Sequence, residues 1–157
     1  MTSFKPQFEF FPLLLKHGVP FVVIGGHAVQ FHGYQRNTED VDVLWVRSED
    51  AEMRLLAVLQ EANASWISNE RDPATGLEKL VPVSIEYIRA THVMMLVSDY
   101  GFVDLFDYVP GFPDAGVNAV YDQSILSGQL RYVSLDWLKK MKQAADRPKD
   151  RLDLEKL

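Results

Sequence analysis

The sequence predicts an α+β fold: a mixed β-sheet with helices packed on it. Three observations lead there. A short, continuous apolar run of the buried-strand kind at 21–24 and a second strand at 41–46, where acids alternate with valines at its start, are interleaved with segments of helical period. Two later apolar runs, 93–97 and 102–108, flank Ser98-Asp99-Tyr100-Gly101, a hairpin signal that brings antiparallel pairing into the sheet. The length of 157 residues is that of about one ordinary domain, and 47% apolar residues supply its core.

Taken in order, residues 8–16 carry Phe8, Phe11, Leu14 and Leu15 near helical spacing, with His17-Gly18 as the stop. Pro20 opens the strand at 21–24, Gly25-Gly26 ends it, and 28–32 continues as a short helix stopped by Gly33. The strand at 41–46 begins where Asp40 and Asp42 alternate with Val41 and Val43. Ser48 caps a helix over 49–62 with Met53, Leu55, Leu56 and Leu59 inward. In the middle, 64–67 reads as a strand, 69–76 as a polar loop, and 81–88 as a strand despite Pro82. Pro110-Gly111-Phe112-Pro113 breaks the chain. Ser134 or Asp136 caps a helix with Leu138, Met141 and Ala145 on one face. Asp146-Arg147-Pro148 interrupts it and starts a terminal helix, because proline is tolerated in a first turn. No repeat or linker-like stretch divides the chain, so one domain over 1–157 is expected.

Cysteine is absent, which excludes a disulfide scaffold, a thiolate zinc site and cysteine nucleophile chemistry. A net charge of −6 argues against gripping nucleic acid through global charge, although metal ions let an acidic chain handle polyanions. No apolar run reaches membrane-spanning length and the N-terminus lacks a signal-peptide pattern, so a cytoplasmic protein with no membrane contact is expected.

Two features carry chemistry together. Gly25-Gly26 follows a buried strand, and Asp40-Val41-Asp42 starts the next, with thirteen residues (27–39) between the glycines and Asp40. Positions two apart on a strand share a face, so both carboxylates converge on one spot while Val41 packs behind them. Carboxylates side by side repel unless a cation lies between them, and a hard divalent ion is the usual solution. The glycines let the backbone turn closely and offer N–H groups to a phosphate. A third acid, Asp104, sits inside the apolar run 102–106, where burial of a lone carboxylate is costly; Asp107, three residues on, points to the opposite face.

Ile24-Gly25-Gly26 followed by Asp40-Val41-Asp42-Val43 resembles the signature of the DNA polymerase β-like nucleotidyltransferase superfamily. Gly25-Gly26-His27-Ala28-Val29, His32-Gly33 and Arg36-Asn37-Thr38-Glu39-Asp40 are similar to small prokaryotic proteins related to AbiEii-type toxins and MNT-type antitoxins. Arg147-Pro148-Lys149-Asp150 and Asp153-Leu154-Glu155 look like that group's closing helices, whereas 63–91 has no counterpart. The resemblance implies a nucleotidyltransferase fold and transfer of an NMP from an NTP to a hydroxyl of a protein or an RNA such as tRNA. It implies that Asp40, Asp42 and Asp104 hold two Mg²⁺ (or Mn²⁺) ions, with Asp104 also the general base. Gly25 and Gly26 would meet the β- and γ-phosphates; members of the superfamily often carry Ser at the position of Gly26, and its phosphate-binding hydroxyl is missing here.

Arg36 and Thr38, on the approach to Asp40, are further nucleotide-site candidates, and an ion pair is the competing role of Arg36. Lys142 is the lysine placed to reach a triphosphate. The remaining strip, Lys139, Lys140, Arg147, Lys149 and Arg151, is interleaved with acids and reads as a solvated helical surface. His27, His32 and His92 read as structural or surface residues, and Trp45, Trp66 and Trp137 as core. The alternative function is an inactive, antitoxin-like binding module, and a weaker one is a metal-dependent phosphohydrolase. A toxin partner and self-association stay open at this level. The shortness of the chain fits a minimal unit whose acceptor comes from a partner.

Overall fold

The computed structural model describes residues 5–157. A 3₁₀ turn (Gln7–Glu9) leads into α1 (Phe10–Lys16), β1 (Phe21–Ile24), α2 (Gly25–Phe31), β2 (Asp40–Trp45) and α3 (Glu49–Glu61). Next come β3 (Ser65–Arg71), β4 (Glu78–Pro82), α4 (Ile85–Ala90), β5 (Val93–Ser98) and β6 (Gly101–Phe106). The chain closes with α5 (Val117–Asp122), β7 (Ile125–Ser127), β8 (Leu130–Tyr132), α6 (Leu135–Ala145) and α7 (Pro148–Lys156).

Among the described residues the eight strands form one sheet in the order β4-β3-β5-β6-β2-β1-β8-β7. It is mixed, as expected: β2 runs parallel to β6 and β1 to β8, and the other neighbours are antiparallel. Period-two alternation sorts the side chains onto two faces. Phe21, Val23, Val41, Val43, Trp45, Val103 and Leu105 enter one core with α1 and α3. Val22, Ile24 and Leu44 enter a second, with α2, α5 and α6. Asp40, Asp42 and Asp104 fall on the second face by the same alternation.

Three serines cap helices: Ser48, Ser84 and Ser134 accept from the backbone N–H groups of Ala51, Tyr87 and Trp137 at 2.9, 3.2 and 3.2 Å. Asp146 ends α6 in the left-handed region (φ 50°), and Pro148 starts α7.

The middle departs from expectation. The segment 81–88 is the end of β4 followed by α4, because Ser84 caps a helix two residues after Pro82. Most of the expected loop at 69–76 is the end of β3 and its turn into β4, an exposed hairpin without an apolar face to announce it. The elements α5, β7 and β8 lie where nothing was anticipated, and the two strands are only three residues each. On α3, Met53 is exposed whereas Glu52 and Val58 turn inward. On α6, Leu138 and Met141 are buried but Ala145 is exposed.

Glu52 faces inward to meet Arg47, which follows β2. The Arg47 guanidinium donates to Asp107 Oδ2 (2.6 Å), Glu52 Oε2 (2.6 Å) and the Ile88 and Thr91 carbonyls (3.0 and 2.6 Å), and lies 4.5 Å from the Trp45 ring centroid. One side chain thus ties β2 to α3, α4 and the end of β6. Arg47→Ala should cost about 3–5 kcal/mol in denaturant unfolding, since it removes the nearest cation from two poorly solvated carboxylates, Glu52 and Asp107. Arg47→Lys should recover less than half of that, because an ammonium lacks the fork. A loss below about 1 kcal/mol for the alanine variant would show that the pairs contribute little.

Candidate active site

Parallel pairing of β2 with β6 puts Asp42 directly opposite Asp104 and Asp40 opposite Phe102. The three carboxylates of Asp40, Asp42 and Asp104 each offer an oxygen within 4.8 Å of the others, all of them partly exposed. Burial, then the charges of Asp104 and Asp40 and a hydrogen bond with Asp104, push the Asp42 carboxyl up to about 7; the Lys142 charge opposes the rise. Asp104 is also raised, by burial and by Asp40, against the hydrogen bond from Asp42 and the charge of Lys149. The donor set is therefore all oxygen, concave and short of positive charge, and it fits a hard divalent cation.

The glycines owe their identity to the same crowding. Gly25 has φ +66°, and a Cβ there would overlap the carboxylate of Asp42. A Cβ on Gly26 would overlap the hydroxyl of Thr38 and lie 2.7 Å from its Cβ. The backbone at the β1–α2 junction can approach β2 only because both side chains are absent.

A cleft of about 460 Å³ opens over the acids. It is lined by every residue anticipated for the site: Gly25, Gly26, Arg36, Thr38, Asp40, Asp42, Asp104 and Lys142. Two of these are engaged elsewhere. Arg36 forms a two-pronged pair with Asp153 (2.7 and 2.8 Å), the ion-pair role weighed above. The Lys142 ammonium is buried between Asp150 (3.2 Å) and Asp153 (3.0 Å).

Arg147 and Lys149 line the cleft as well; both are exposed and Arg147 is paired with Asp150, so the solvated, ion-paired surface read from the basic strip also borders the site. The signal was in the sequence: acids three apart on a terminal helix, Asp150 and Asp153, with cations before and between them. Met95, Phe106 and Leu138 add an apolar wall with no motif to mark it. The histidines stay out of the cleft. His27 is buried against Phe8 and Phe11, and burial lowers its pKa; His32 meets the Val133 carbonyl at 2.8 Å, and exposed His92 meets Asp107 at 2.9 Å. Trp45 is core, whereas Trp66 and Trp137 are half-buried against Tyr87 and Phe112.

No protein-family model and no curated protein sequence matches the chain. Solved structures do. The antibiotic-resistance factor ANT(2'')-Ia superposes with a TM-score of 0.56 at 10% identity, over 94% of this chain and 78% of that one. This is the nucleotidyltransferase fold. JHP933 from Helicobacter pylori also matches, with a TM-score of 0.48 at 14% identity over 99% of this chain and 67% of that one. Among the described residues no helix is long and apolar enough to cross a membrane.

The raised carboxyls predict an unusual pH profile. Asp42 titrates near 3.8 when unfolded and near 7 when folded, so between those values the unfolded chain releases its proton first. Stability from Asp42 is therefore full at low pH and falls as pH rises, the loss being complete above about pH 7. Melts of metal-free protein should show Tm falling from about pH 5 to pH 8, and millimolar Mg²⁺ or Mn²⁺ restoring it at pH 8. Asp42→Asn should gain roughly 1–3 kcal/mol at pH 8 without metal and lose the metal response. A flat profile with no metal effect would count against a cation site.

Proposed function

We propose that the chain is a metal-dependent nucleotidyltransferase that moves an NMP from an NTP to a hydroxyl of a protein or RNA acceptor. The carrying observation is the crowding of Asp40, Asp42 and Asp104 at a cleft whose opposite wall presents cations. Such a site needs external positive charge and has room for a polyanion beside it. Mg²⁺, bound by these acids as two ions in our reading, supplies charge neutralisation of the triphosphate and acidifies the attacking hydroxyl.

The chain's own groups do the rest. Asp40 and Asp42 present their oxygens on one strand face. Asp104, on the neighbouring strand, takes the acceptor's proton. As the acceptor oxygen bonds to the α-phosphorus, the bond to the β-phosphate oxygen breaks and pyrophosphate leaves. Gly25 and Gly26 leave bare backbone for the phosphate oxygens, and Thr38, Lys149 and Arg147 face the same cleft. The apolar side chains of Met95, Phe106 and Leu138 receive the nucleoside. The likeness of the glycine–acid motif and closing helices to AbiEii- and MNT-related proteins supports a cytoplasmic, toxin–antitoxin setting in which a partner supplies the acceptor.

Incubation with labelled NTPs, Mg²⁺ or Mn²⁺ and candidate acceptors should give a labelled adduct and an equal amount of pyrophosphate. Asp42→Asn and Asp104→Asn should each cut transfer by about 10³-fold. Transfer that survives Asp42→Asn refutes the assignment of that residue, and phosphate release without any adduct refutes the transferase in favour of a hydrolase.

A further inference from the structure

The two most buried residues of α7 are carboxylates: Asp150 is 0% and Asp153 1% exposed, whereas Leu152 is 48% exposed. The helix is therefore docked through charge rather than through an apolar face. Well-packed apolar side chains hold a helix at least as firmly as a buried ion network does, so stability alone does not call for this arrangement.

The network is built around Asp153. Its Oδ1 accepts from Arg36 Nε at 2.7 Å, while its Oδ2 accepts from Arg36 Nη2 at 2.8 Å and lies 3.0 Å from Lys142 Nζ. Asp150 completes it, meeting Lys142 at 3.2 Å and the Arg147 Nε and backbone N–H at 2.7 and 3.1 Å. Burial alone would raise both carboxyls; the hydrogen bonds and charges of Arg147 and Lys142 hold Asp150 below the usual range, and those of Arg36 and Lys142 do so for Asp153. Three cations surround two anions, so one positive charge is left over, and Lys142 and Arg147 both act on Asp42.

Arg36 lies in the segment without regular structure between α2 and β2. Its Nη1 donates to the Asn37 carbonyl at 2.9 Å, and one residue on, the Thr38 hydroxyl packs over Gly26 and donates to the Asp40 carbonyl at 3.1 Å. Arg36 and Thr38 crowd the same side of Gly26: a Cβ there would overlap Thr38 Oγ1 and lie 3.3 Å from Arg36 Nη1.

We infer that Asp153, assisted by Asp150, is a positioning residue of the cleft: through Arg36 it sets the Thr38 hydroxyl, and through its own contact it sets Lys142, on the triphosphate side. The inference rests on the nucleotidyltransferase reading above. The acids of the triad take their positions from the β2–β6 pairing and feel the network only through charge, so Asp153 bears chiefly on polyphosphate binding.

Two titrations test it, Mn²⁺ alone and magnesium tripolyphosphate, a probe that needs no knowledge of the base. Asp153→Asn should weaken tripolyphosphate about tenfold or more while Mn²⁺ affinity stays within about threefold. Asp153→Glu keeps the buried charge, and therefore the fold, but displaces both cations; it should weaken tripolyphosphate about three- to tenfold, again sparing Mn²⁺. Tripolyphosphate affinity within about twofold of wild type in a folded variant overturns the inference and leaves the transferase reading intact. Parallel loss of both ligands in both variants also overturns it, since that is what general damage to the fold produces. Wild-type protein that binds neither probe overturns the transferase reading and this inference with it.

Discussion

Parallel pairing of β2 with β6 sets Asp42 opposite Asp104, with Asp40 two positions away on the same strand face, and much of the molecule answers to the repulsion that results. Like charges this close cannot all ionise, which is why burial and neighbouring carboxylates together lift Asp42 to about 7. Gly25 has no side chain because the Asp42 carboxylate occupies its space. Lys142, Lys149 and Arg147 approach from the C-terminal helices on the other side, and each acts electrostatically on Asp42 or Asp104.

The sheet makes this concentration of charge tolerable by dividing its faces. On one side β1, β2 and β6 contribute an unbroken apolar surface to the core under α1 and α3. On the other, the apolar cover of α2, α5 and α6 reaches Ile24 and Leu44 and stops short of the acids. The strands are thus anchored from behind while their front edge is left polar. Arg36, Lys142, Arg147 and Lys149 line the cleft beside the acids although the net charge of the chain is −6, so the overall sign says little about the local field there.

What could be read from sequence follows the range of the physics involved. Asp40 and Asp42 share a strand face by local alternation, and Asp104 declared itself as a carboxylate in an apolar run, so the acids were legible. Their meeting was anticipated only through the family resemblance, because β2 and β6 are separated by more than fifty residues and nothing local fixes a parallel register between them. The glycines were legible as a tight approach, but the occupants of the vacated space, Asp42 and Thr38, belong to another strand and its entry loop. Arg36 and Lys142 were found as residues of the cleft, whereas their engagement by Asp153 depends on how α7 folds back over α6. The short strands β7 and β8 and the outer part of the β3–β4 hairpin, beyond the strand starts expected at 64–67 and 81–88, escaped because three-residue or largely exposed strands lack the apolar alternation that marks a strand.

The close approach of Thr38 to Gly26 also constrains the evolution of the site. A serine at position 26 would here be built into the volume that the Thr38 side chain fills. The space that a side chain at residue 26 would need is taken by residue 38, on a different segment of the chain. The two positions are therefore epistatic: serine at 26 is admissible only on a background in which residue 38 has first become small. A lineage carrying Thr38 is held to glycine at 26 by steric exclusion, whichever substrate it has come to use.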